Sequence, residues 1–340
     1  MKEELSPIGI FALIQPFLFL IAPETAHHLG LKTVQIAGSI SLTQTLTRFL
    51  FAPKNDPIQL FGKELPNRVG LAAGYDKHAL ALDGLEAMGF GHIEIGTITP
   101  RPQAGNPYPR IHRHPKEYAL VNRMGFPSEG LDVVAKRIEA YLSRREKRNS
   151  ERKIPALGIN IGKNKITPNE EAHKDYLACF RRLTDFADYI TVNISSPNTP
   201  NLRALQHNQA LEKLLLPLLN ERSKRRVHTP IMVKLSPDLS TEHRLQTLHL
   251  LVELGIEGVI LSNTRKTQMP WQGGLSGLLL RDETLAIIKQ AKRETPQLKI
   301  FASGGIGLDG DVALFAEAGA DLVQVYTALI YRGPALLKRL

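Results

Sequence analysis

The sequence is short of cysteine, since Cys179 is the only one among 340 residues. A single cysteine cannot form an intramolecular disulfide or supply a four-cysteine zinc or iron–sulfur site. A reducing compartment therefore fits best, and no metal site is predicted. Long apolar runs are also lacking. The most apolar segment, residues 8–22, is interrupted by Gln15 and Pro16 and is shorter than a helix needs to cross a bilayer.

Acidic residues are in deficit, with 33 Asp and Glu against 43 Lys and Arg, which leaves a net charge of +10. This excess favours an anionic ligand, a nucleic acid or an acidic membrane surface, and charge alone does not choose among them. Hydrophobic residues at 43% and charged residues at 22% are ordinary for a soluble globular protein. The composition therefore argues against disorder and against a polytopic membrane protein.

From Arg68 onward, a short apolar run followed by a helical segment recurs eight times. The apolar runs begin at Arg68, His92, Ala156, Tyr189, Ile231, Gly258, Lys299 and Leu322. Helices are predicted between them over residues 169–186, 209–226, 241–254, 282–294 and 311–318. Eight β-then-α units in about 260 residues predict an α/β fold of the (β/α)8 TIM-barrel type. A doubly wound open sheet is the alternative.

The segment ahead of the barrel is predicted to be helical at first. Residues 8–22 form one predicted helix, and Pro23 begins a second one that runs toward Gly38. Two short apolar helices before a soluble domain indicate either interfacial attachment to a membrane or a cap packed on the core. Residues 39–57 are interpreted as a helix end and a linker, and a hairpin around Gly62 would seal the bottom of the barrel.

Polar residues follow the predicted strands at the mouth of the barrel, where barrels carry their chemistry. After the first six strands these are Gly74, Tyr75, Asp76, Lys77, Thr97, Thr99, Asn160, Lys163, Asn193, Ser196, Lys234, Ser262, Asn263 and Thr264. Any one of them is explained by a helix cap, and residues 193–200 alone are explained by a turn. Caps and turns do not explain a whole ring of such residues that includes several lysines. We therefore predict a ligand site at the mouth.

Glycine-rich turns after strands six to eight predict a phosphate site at the same mouth. They comprise GGLSG at residues 273–277 and SGGIG at residues 303–307, and Tyr326-Thr327 follows strand eight. Glycine lets backbone N–H groups approach phosphate oxygens. No strand is followed by a GxGxxG turn with a distal acid, which argues against a nicotinamide dinucleotide. FMN fits better, with Lys234 placed to stabilise negative charge on the reduced ring.

Six longer motifs carry a family resemblance. They are GLAAGYDK (70–77), GTITPRPQAGNPYPR (96–110), NRMGF (122–126), GINIGKNK (158–165), NISSPNTPNLR (193–203) and GGLSG (273–277). With them the chain resembles the class 2, quinone-dependent dihydroorotate dehydrogenases over nearly its whole length. The resemblance implies a TIM barrel with an N-terminal, helical, membrane-associated extension. It also implies oxidation of (S)-dihydroorotate to orotate in UMP biosynthesis, with electrons passing through FMN to ubiquinone or menaquinone.

The resemblance also assigns roles to individual residues. Ser196 matches the catalytic base; class 1 enzymes carry a cysteine there, and Cys179 lies in a predicted helix and cannot fill that role. One FMN per chain would contact Ala73, Gly74, Tyr75, Asp76, Lys77, Thr97, Asn160, Asn193, Lys234, Ser262, Gly277, Gly305, Tyr326 and Thr327. Substrate would contact Lys77, Asn122, Arg123, Met124, Gly125, Phe126, Asn193, Asn198, Asn263 and Thr264. The quinone site would include His27, Arg113 and Tyr326.

Three regions follow from the resemblance: a quinone tunnel and membrane attachment in residues 1–38, a linker and hairpin in 39–67, and the FMN barrel in 68–340. A monomer without a nucleic-acid partner is expected. The acidic start MKEEL lacks the Arg-rich profile of a transit peptide. We therefore expect a peripheral protein on the cytoplasmic side of a bacterial inner membrane.

The sequence departs from the family pattern after NRMGF, where Pro127-Ser128 replaces the usual Asn-Asn or Asn-Ser. A hydrogen bond near the substrate is expected to be lost. Two other functions stay open. One is a related FMN barrel that acts on another pyrimidine or uses a soluble acceptor, and the other is a membrane-bound flavin or nucleotide binder without catalysis.

Overall fold

A computed structural model describes residues 6–148, 153–268 and 271–340. The acidic start on which the expected location depends, residues 1–5, lies outside them. Eight parallel strands close into a barrel in the order β10-β13-β14-β3-β4-β7-β8-β9. They are β3 (Val69–Leu71), β4 (His92–Ile98), β7 (Ala156–Ile161), β8 (Tyr189–Asn193), β9 (Ile231–Leu235), β10 (Gly258–Leu261), β13 (Lys299–Ser303) and β14 (Leu322–Val325). The barrel and all eight predicted strands are confirmed, and closure excludes the open sheet.

Nearly every barrel-strand residue is buried, because helices cover the outside and side chains fill the inside. The helices are α4 (Leu82–Ala87), α5 (Leu131–Lys147), α6 (Ala172–Leu183), α7 (Asn208–Arg222), α8 (Thr241–Glu253), α9 (Arg281–Glu294), α10 (Asp311–Glu317) and α11 (Thr327–Arg332). In α6, for example, Tyr176, Phe180 and Leu183 recur at helical spacing and are fully buried. The five helices predicted between strands are confirmed within a few residues at each end. Short 3₁₀ segments span Pro115–Glu117, Asn169–Glu171, Thr184–Phe186, Leu202–Gln206, Leu278–Leu280 and Pro334–Lys338.

Two smaller sheets lie at opposite ends of the barrel. At the bottom, β1 (Ile58–Leu60) and β2 (Lys63–Leu65) form the predicted hairpin. At the mouth, an antiparallel sheet has the order β11-β12-β6-β5, which the sequence did not predict. Its strands are β5 (Ile111–His114), β6 (Ala119–Asn122), β11 (Arg265–Thr267) and β12 (Gly273–Gly277). This sheet joins the excursions after barrel strands β4 and β10 into one wall above the mouth.

Three helices precede the barrel: α1 (Phe11–Leu20), α2 (Pro23–Ala37) and α3 (Ser41–Phe51). The first two are confirmed, whereas the interpretation of residues 39–57 as a helix end and linker is wrong over the length of α3. Its apolar residues recur at helical spacing, and the sequence reading overlooked that spacing. In the described ranges no helix combines the length and hydropathy that a bilayer crossing requires.

The N-terminal helices are attached to the barrel by specific polar contacts. Glu24 of α2 pairs with Arg110 at 2.7 Å, and both side chains are largely buried. Arg113 of β5 donates to the carbonyl oxygens of Leu18 at 3.1 Å and Ile21 at 2.7 Å, which end α1. The helices therefore sit in a fixed position over the mouth.

Candidate active site

A cavity of about 870 Å³ occupies the mouth of the barrel. The strand ends form its floor, the four-stranded sheet forms one wall, and α1, α2 and α3 cover it. The covering helices contribute apolar groups such as Phe11, Ile14 and Leu18. The cavity is thus polar on the barrel side and apolar on the helix side.

Most residues predicted for the site line this one cavity. They are His27, Ala73, Gly74, Tyr75, Lys77, Thr97, Arg113, Asn122, Met124, Gly125, Phe126, Asn193, Ser196, Asn198, Lys234, Ser262, Asn263, Thr264, Gly277, Gly305, Tyr326 and Thr327. They come from distant parts of the sequence, and the closed barrel brings them together. The sequence could not give the distances among them.

Five residues predicted at the mouth do not line the cavity. Two of them bond within their own loops, since Thr99 Oγ1 donates to the Arg101 carbonyl at 2.8 Å and Lys163 Nζ donates to the Thr167 carbonyl at 2.7 Å. The Asp76 carboxylate is fully buried and accepts backbone N–H bonds at 2.8–3.2 Å, the shortest from Ala81. Arg123 points the other way and donates to the carbonyl of Pro109 at 3.0 Å. Asn160 is buried beneath the floor and bonds to Thr97. Asp76 and Asn160 support the site from behind, and a ligand role for either stays a prediction.

Two lysines face the cavity under strong desolvation. Burial lowers the pKa of Lys77 to about 8, with the nearby Arg110 guanidinium as the second cause. Its ammonium donates to the carbonyl of Gly74 at 2.6 Å. Burial also lowers the pKa of Lys234, and the negative charge of Glu94 partly offsets this decrease. Lys234 makes no hydrogen bond or ion pair with any described residue. An anionic ligand beside either amine would favour its protonated form.

Glu94 in the middle of β4 was missed by sequence reasoning. Its carboxylate is fully buried inside the barrel and accepts four hydrogen bonds. The donors are Asn160 Nδ2 at 2.8 Å, Gln324 Nε2 at 2.9 Å, Thr191 Oγ1 at 3.1 Å and Tyr189 Oη at 3.2 Å. The run HIEIGTIT alternates apolar and polar residues as a half-exposed strand would, so no local signal marked this carboxylate as buried.

Glu94 fixes the direction of a hydrogen-bond network under the floor. A carboxylate only accepts, so Asn160 must turn its Nδ2 toward it and its Oδ1 toward the mouth. There Asn160 Oδ1 accepts from Thr97 Oγ1 at 2.6 Å and from Asn193 Nδ2 at 3.1 Å. Asn193 Oδ1 in turn accepts from Ser195 Oγ at 3.0 Å. The donors and acceptors of the floor are therefore set from below.

The loop after β8 places two serines differently. Ser195 Oγ also accepts from Asn263 Nδ2 at 2.8 Å, so its hydroxyl is used within the protein. Ser196 lines the cavity, and its Oγ accepts only from the Asn198 N–H at 3.2 Å. Neither a carboxylate nor an imidazole bonds to Ser196 Oγ in the described part of the chain. The hydroxyl of Thr199 in the same loop is buried and lacks a partner there.

The glycine-rich turn after β13 presents unused backbone donors. Gly304 and Gly305 have φ angles of +123° and +80°, and a Cβ on Gly305 would lie 2.4 Å from the Arg281 backbone. Glycine is therefore required there. The N–H groups of Gly304, Gly305 and Ile306 donate to no acceptor in the described ranges. The Ser262 hydroxyl, also buried at the mouth, has no partner either. A cradle of this kind suits phosphate.

An aromatic row leads from the helix side to the mouth. The His27 ring of α2 meets Tyr75 at 5.2 Å, and Tyr75 meets Tyr326 at 5.6 Å, both edge to face. Burial, followed by the nearby Lys77 charge, lowers the pKa of His27 to about 3, so its imidazole is neutral at physiological pH. Arg113 holds the end of α1 nearby.

The departure at Pro127-Ser128 has a structural explanation. Ser128 Oγ is buried and accepts the backbone N–H groups of Gly130 at 3.2 Å and Thr99 at 3.3 Å, away from the cavity. Pro127 lines the cavity and offers no N–H. The expected loss of a hydrogen bond near the substrate stays a prediction. Ser276 is a further lining residue that the sequence did not reveal, and it accepts from Thr327 Oγ1 at 2.9 Å.

Comparisons with known proteins agree with this geometry. A sequence model of the family described as dihydroorotate dehydrogenase matches residues 57–340. The chain is 42% identical over 343 residues to dihydroorotate dehydrogenase (quinone) of Flavobacterium lutescens, covering 96% of this chain and 94% of the relative. It is 42% identical over 340 residues to the protein of the same name from Dichelobacter nodosus, covering 96% and 95%.

Solved structures of the same family are also similar to this chain. The ligand-free DHODH from Eimeria tenella superposes with a TM-score of 0.84 at 35% identity, covering 93% of this chain and 92% of that one. The DHODH of the same organism in complex with ferulenol gives a TM-score of 0.80 at 36% identity, covering 88% and 89%. The sequence, the barrel and its cavity lead to one conclusion: this chain belongs to the dihydroorotate dehydrogenase family.

Proposed function

We propose that this chain oxidises (S)-dihydroorotate to orotate in pyrimidine biosynthesis, with FMN as cofactor and a membrane quinone as final acceptor. The observation that carries the proposal is the two-sided cavity. A lysine, amides and a serine line the barrel side, which suits a charged pyrimidine, and apolar helices line the other side, which suits a quinone. One continuous cavity allows electrons to pass between the two ligands.

The residues present fit FMN, one per chain. Unused N–H groups at Gly304–Ile306 and at the start of α11, near Thr327, suit its phosphate. Lys234 lies on the floor without a partner among the described residues, and its protonated form would favour negative charge on the ring. When bound, FMN supplies a hydride acceptor that can return electrons to a quinone. The remaining contacts are proposed for Ala73, Gly74, Tyr75, Asp76, Lys77, Thr97, Asn160, Asn193, Ser262, Gly277 and Tyr326.

The polar half of the cavity would bind and deprotonate the substrate. Lys77 would pair with the carboxylate, while amides such as Asn193 and Asn263 donate and accept along the pyrimidine edge. Further contacts are proposed for Asn122, Met124, Gly125, Phe126, Asn198 and Thr264. Arg123 has its side chain outside this cavity and is left out of the contact set.

Ser196 Oγ would take the C5 proton of the substrate as its own hydroxyl proton passes to water. A neutral serine is a weak base and needs such an outlet. With neither a carboxylate nor an imidazole bonded to it in the described chain, a water is the proposed relay. We propose that this water also bonds to Thr199 of the same loop, whose buried hydroxyl lacks a partner in the described ranges.

The apolar half of the cavity would bind the quinone, and the first 38 residues would form its tunnel. His27, Tyr326 and Arg113 lie where the helix side meets the barrel mouth. A neutral His27 offers the quinone oxygen a hydrogen bond without burying a charge. A region with α3 and the hairpin (39–67) and the FMN barrel (68–340) complete the proposed organisation.

Exposed apolar side chains on the helices support membrane attachment. Leu13, Phe17 and Leu20 of α1 are 72–83% exposed, and Leu42 and Phe49 of α3 are 77% and 74% exposed. Such a surface together with a net positive charge suits an anionic lipid interface. We place the protein as a peripheral monomer on the cytoplasmic side of a bacterial inner membrane, without a nucleic-acid partner.

Steady-state turnover with different acceptors tests the proposal. Purified full-length protein should form orotate from dihydroorotate with decylubiquinone as acceptor, and acid should release FMN at about one per chain. Orotate formation with fumarate or NAD, and not with the quinone, would favour a soluble acceptor instead. Absence of orotate with every acceptor would refute the assignment.

A further inference from the structure

A second cavity of about 370 Å³ lies beside the first one. Asn198 lines both cavities, so it forms the partition between them. On the outer side the lining includes Arg123, Lys165 and Lys266, three cations from separate parts of the chain. Lys165 and Lys266 are exposed to solvent.

None of these three cations pairs with a carboxylate in the described ranges. Arg123 donates to the Pro109 carbonyl, and Lys165 Nζ donates to Asn106 Oδ1 at 3.2 Å. Lys266 uses only its backbone N–H, which donates to Asp238 Oδ2 at 3.0 Å. That carboxylate is itself neutralised by Arg203 at 2.6 Å. The outer cavity therefore carries an excess of positive charge.

Several basic residues elsewhere on the surface do pair with carboxylates, and the exposed lysines there that do not within the described chain, such as Lys213 and Lys289, lie outside both cavities. Arg144 pairs with Asp83, Arg181 pairs with Glu221, and Arg222 pairs with Glu257, each within 3 Å. Converging cations repel one another, and a concave surface concentrates their field on a nearby anion. An unpaired cluster beside the active site is thus better explained by an anionic ligand than by solubility.

The partition and the covering helices indicate the route of such a ligand. The apolar helix side would strip water from a carboxylate at a large cost. On the other side, the hydrogen bonds that Asn198 itself makes within the described ranges join neutral groups. Asn198 Nδ2 donates to Asn122 Oδ1 at 3.0 Å, and Asn106 Nδ2 donates to the Asn198 carbonyl at 3.2 Å. Neutral bonds of this kind contribute about 1 kcal/mol each and are readily exchanged.

We infer that Arg123, Lys165 and Lys266 form an outer anion site that captures the carboxylate of the pyrimidine substrate before it passes Asn198 to reach Lys77. The inference rests on the proposed function, because it takes an anionic pyrimidine as the ligand. It gives Arg123 a role in capture, outside the set of residues that contact bound substrate.

Stopped-flow binding of orotate to the FMN-loaded full-length protein tests the inference, with the flavin absorbance as signal. The test variant is Lys165→Gln with Lys266→Gln. Its matched control is Lys213→Gln with Lys289→Gln, which removes two exposed, unpaired charges from the outer helices α7 and α9. Arg123 is kept, because its side chain also has a structural contact, from Nε to the Pro109 carbonyl at 3.0 Å, that a substitution would remove. Flavin content and far-UV circular dichroism verify folding.

At about 0.01 M salt, where the Debye length is about 30 Å, the association rate constant of the test variant should fall about threefold to tenfold. Its dissociation rate constant should change by less than about twofold, and the control should resemble the wild type. At about 1 M salt the difference should vanish, because charges are then screened within about 3 Å.

Equal association rate constants in the test and control variants at low salt would overturn the outer site. So would a change confined to the dissociation rate constant, because the cations would then act in the bound complex. If wild-type protein loaded with FMN gives no orotate signal at all, the proposed function fails instead. The two failures are thus distinguishable.

Discussion

Replacing Glu94 by glutamine tests the buried network that underlies the site. Hydrogen bonds to a charged group contribute about 1.5–3 kcal/mol, against about 1 kcal/mol for neutral ones. The new amide oxygen can keep the three donors that now bond to Oε2. The new NH2 group would face Asn160 Nδ2, which now lies 2.8 Å from Oε1. One buried donor is then left unsatisfied, at a further cost of about 1–3 kcal/mol.

A flip of the Asn160 amide would not relieve the contact between the new NH2 group and Asn160 Nδ2. Its Nδ2 would then face Asn193 Nδ2, which now donates to Asn160 Oδ1 at 3.1 Å. The buried Lys234 also loses the negative charge of Glu94, which favours the protonated form of the lysine. We therefore expect Glu94→Gln to lower the free energy of unfolding by about 3–5 kcal/mol.

Urea titration followed by far-UV circular dichroism measures this loss, at one saturating FMN concentration because bound ligand adds stability. Thr191→Val is the matched control, since it removes one donor to the same carboxylate, at 3.1 Å, and keeps the charge. It should cost about 1.5–3 kcal/mol, the contribution of one hydrogen bond to a charged group. If Glu94→Gln costs no more than Thr191→Val, the carboxylate does not set the polarity of the network.

Three further predictions concern catalysis and its partners. Ser196→Ala should keep its FMN but lose about 100-fold or more in kcat, because the base is removed, whereas Ser195→Ala should lose far less; near-normal turnover of Ser196→Ala would make the base assignment wrong. Lys77 is protonated below its pKa of about 8, so orotate affinity should be level at lower pH and fall by up to about tenfold per pH unit above it. Titrations from about pH 6.5 to 9.5 measure this, and Lys77→Met should abolish the dependence. Deleting residues 1–39 should spare flavin reduction by dihydroorotate while weakening quinone reduction and liposome binding, and full activity with a long-chain quinone would refute the tunnel.

The barrel was predictable because its signals are local and repeated. Each apolar run ends in a polar or glycine residue, and every barrel strand ends within a few residues of the predicted place. Site residues such as Ser196 and Lys234 were then placed by the rule that strand ends meet at one mouth. Their clustering needed only the topology.

Other features depend on contacts between distant segments. The mouth sheet pairs Leu120 with Ser276, and nothing local to either strand announces that partner. The buried network of Glu94 could not be predicted from the sequence for the same reason, because its four donors come from three other strands. Arg123 shows the converse case, in which a local motif does not tell which cavity a side chain lines. Its motif placed it among the substrate residues, while the backbone turns its side chain into the outer cavity.

The two half-reactions of the flavin separate the proposed substrate from the proposed electron acceptor in one experiment. Full-length protein loaded with FMN is mixed anaerobically with dihydroorotate, and a ubiquinone analogue is then added while the visible flavin absorbance is recorded. We expect bleaching by dihydroorotate and recovery of the yellow colour with the quinone. Absence of bleaching would contradict the assignment of dihydroorotate as substrate. Bleaching that only a soluble acceptor reverses would contradict the assignment of a quinone as electron acceptor.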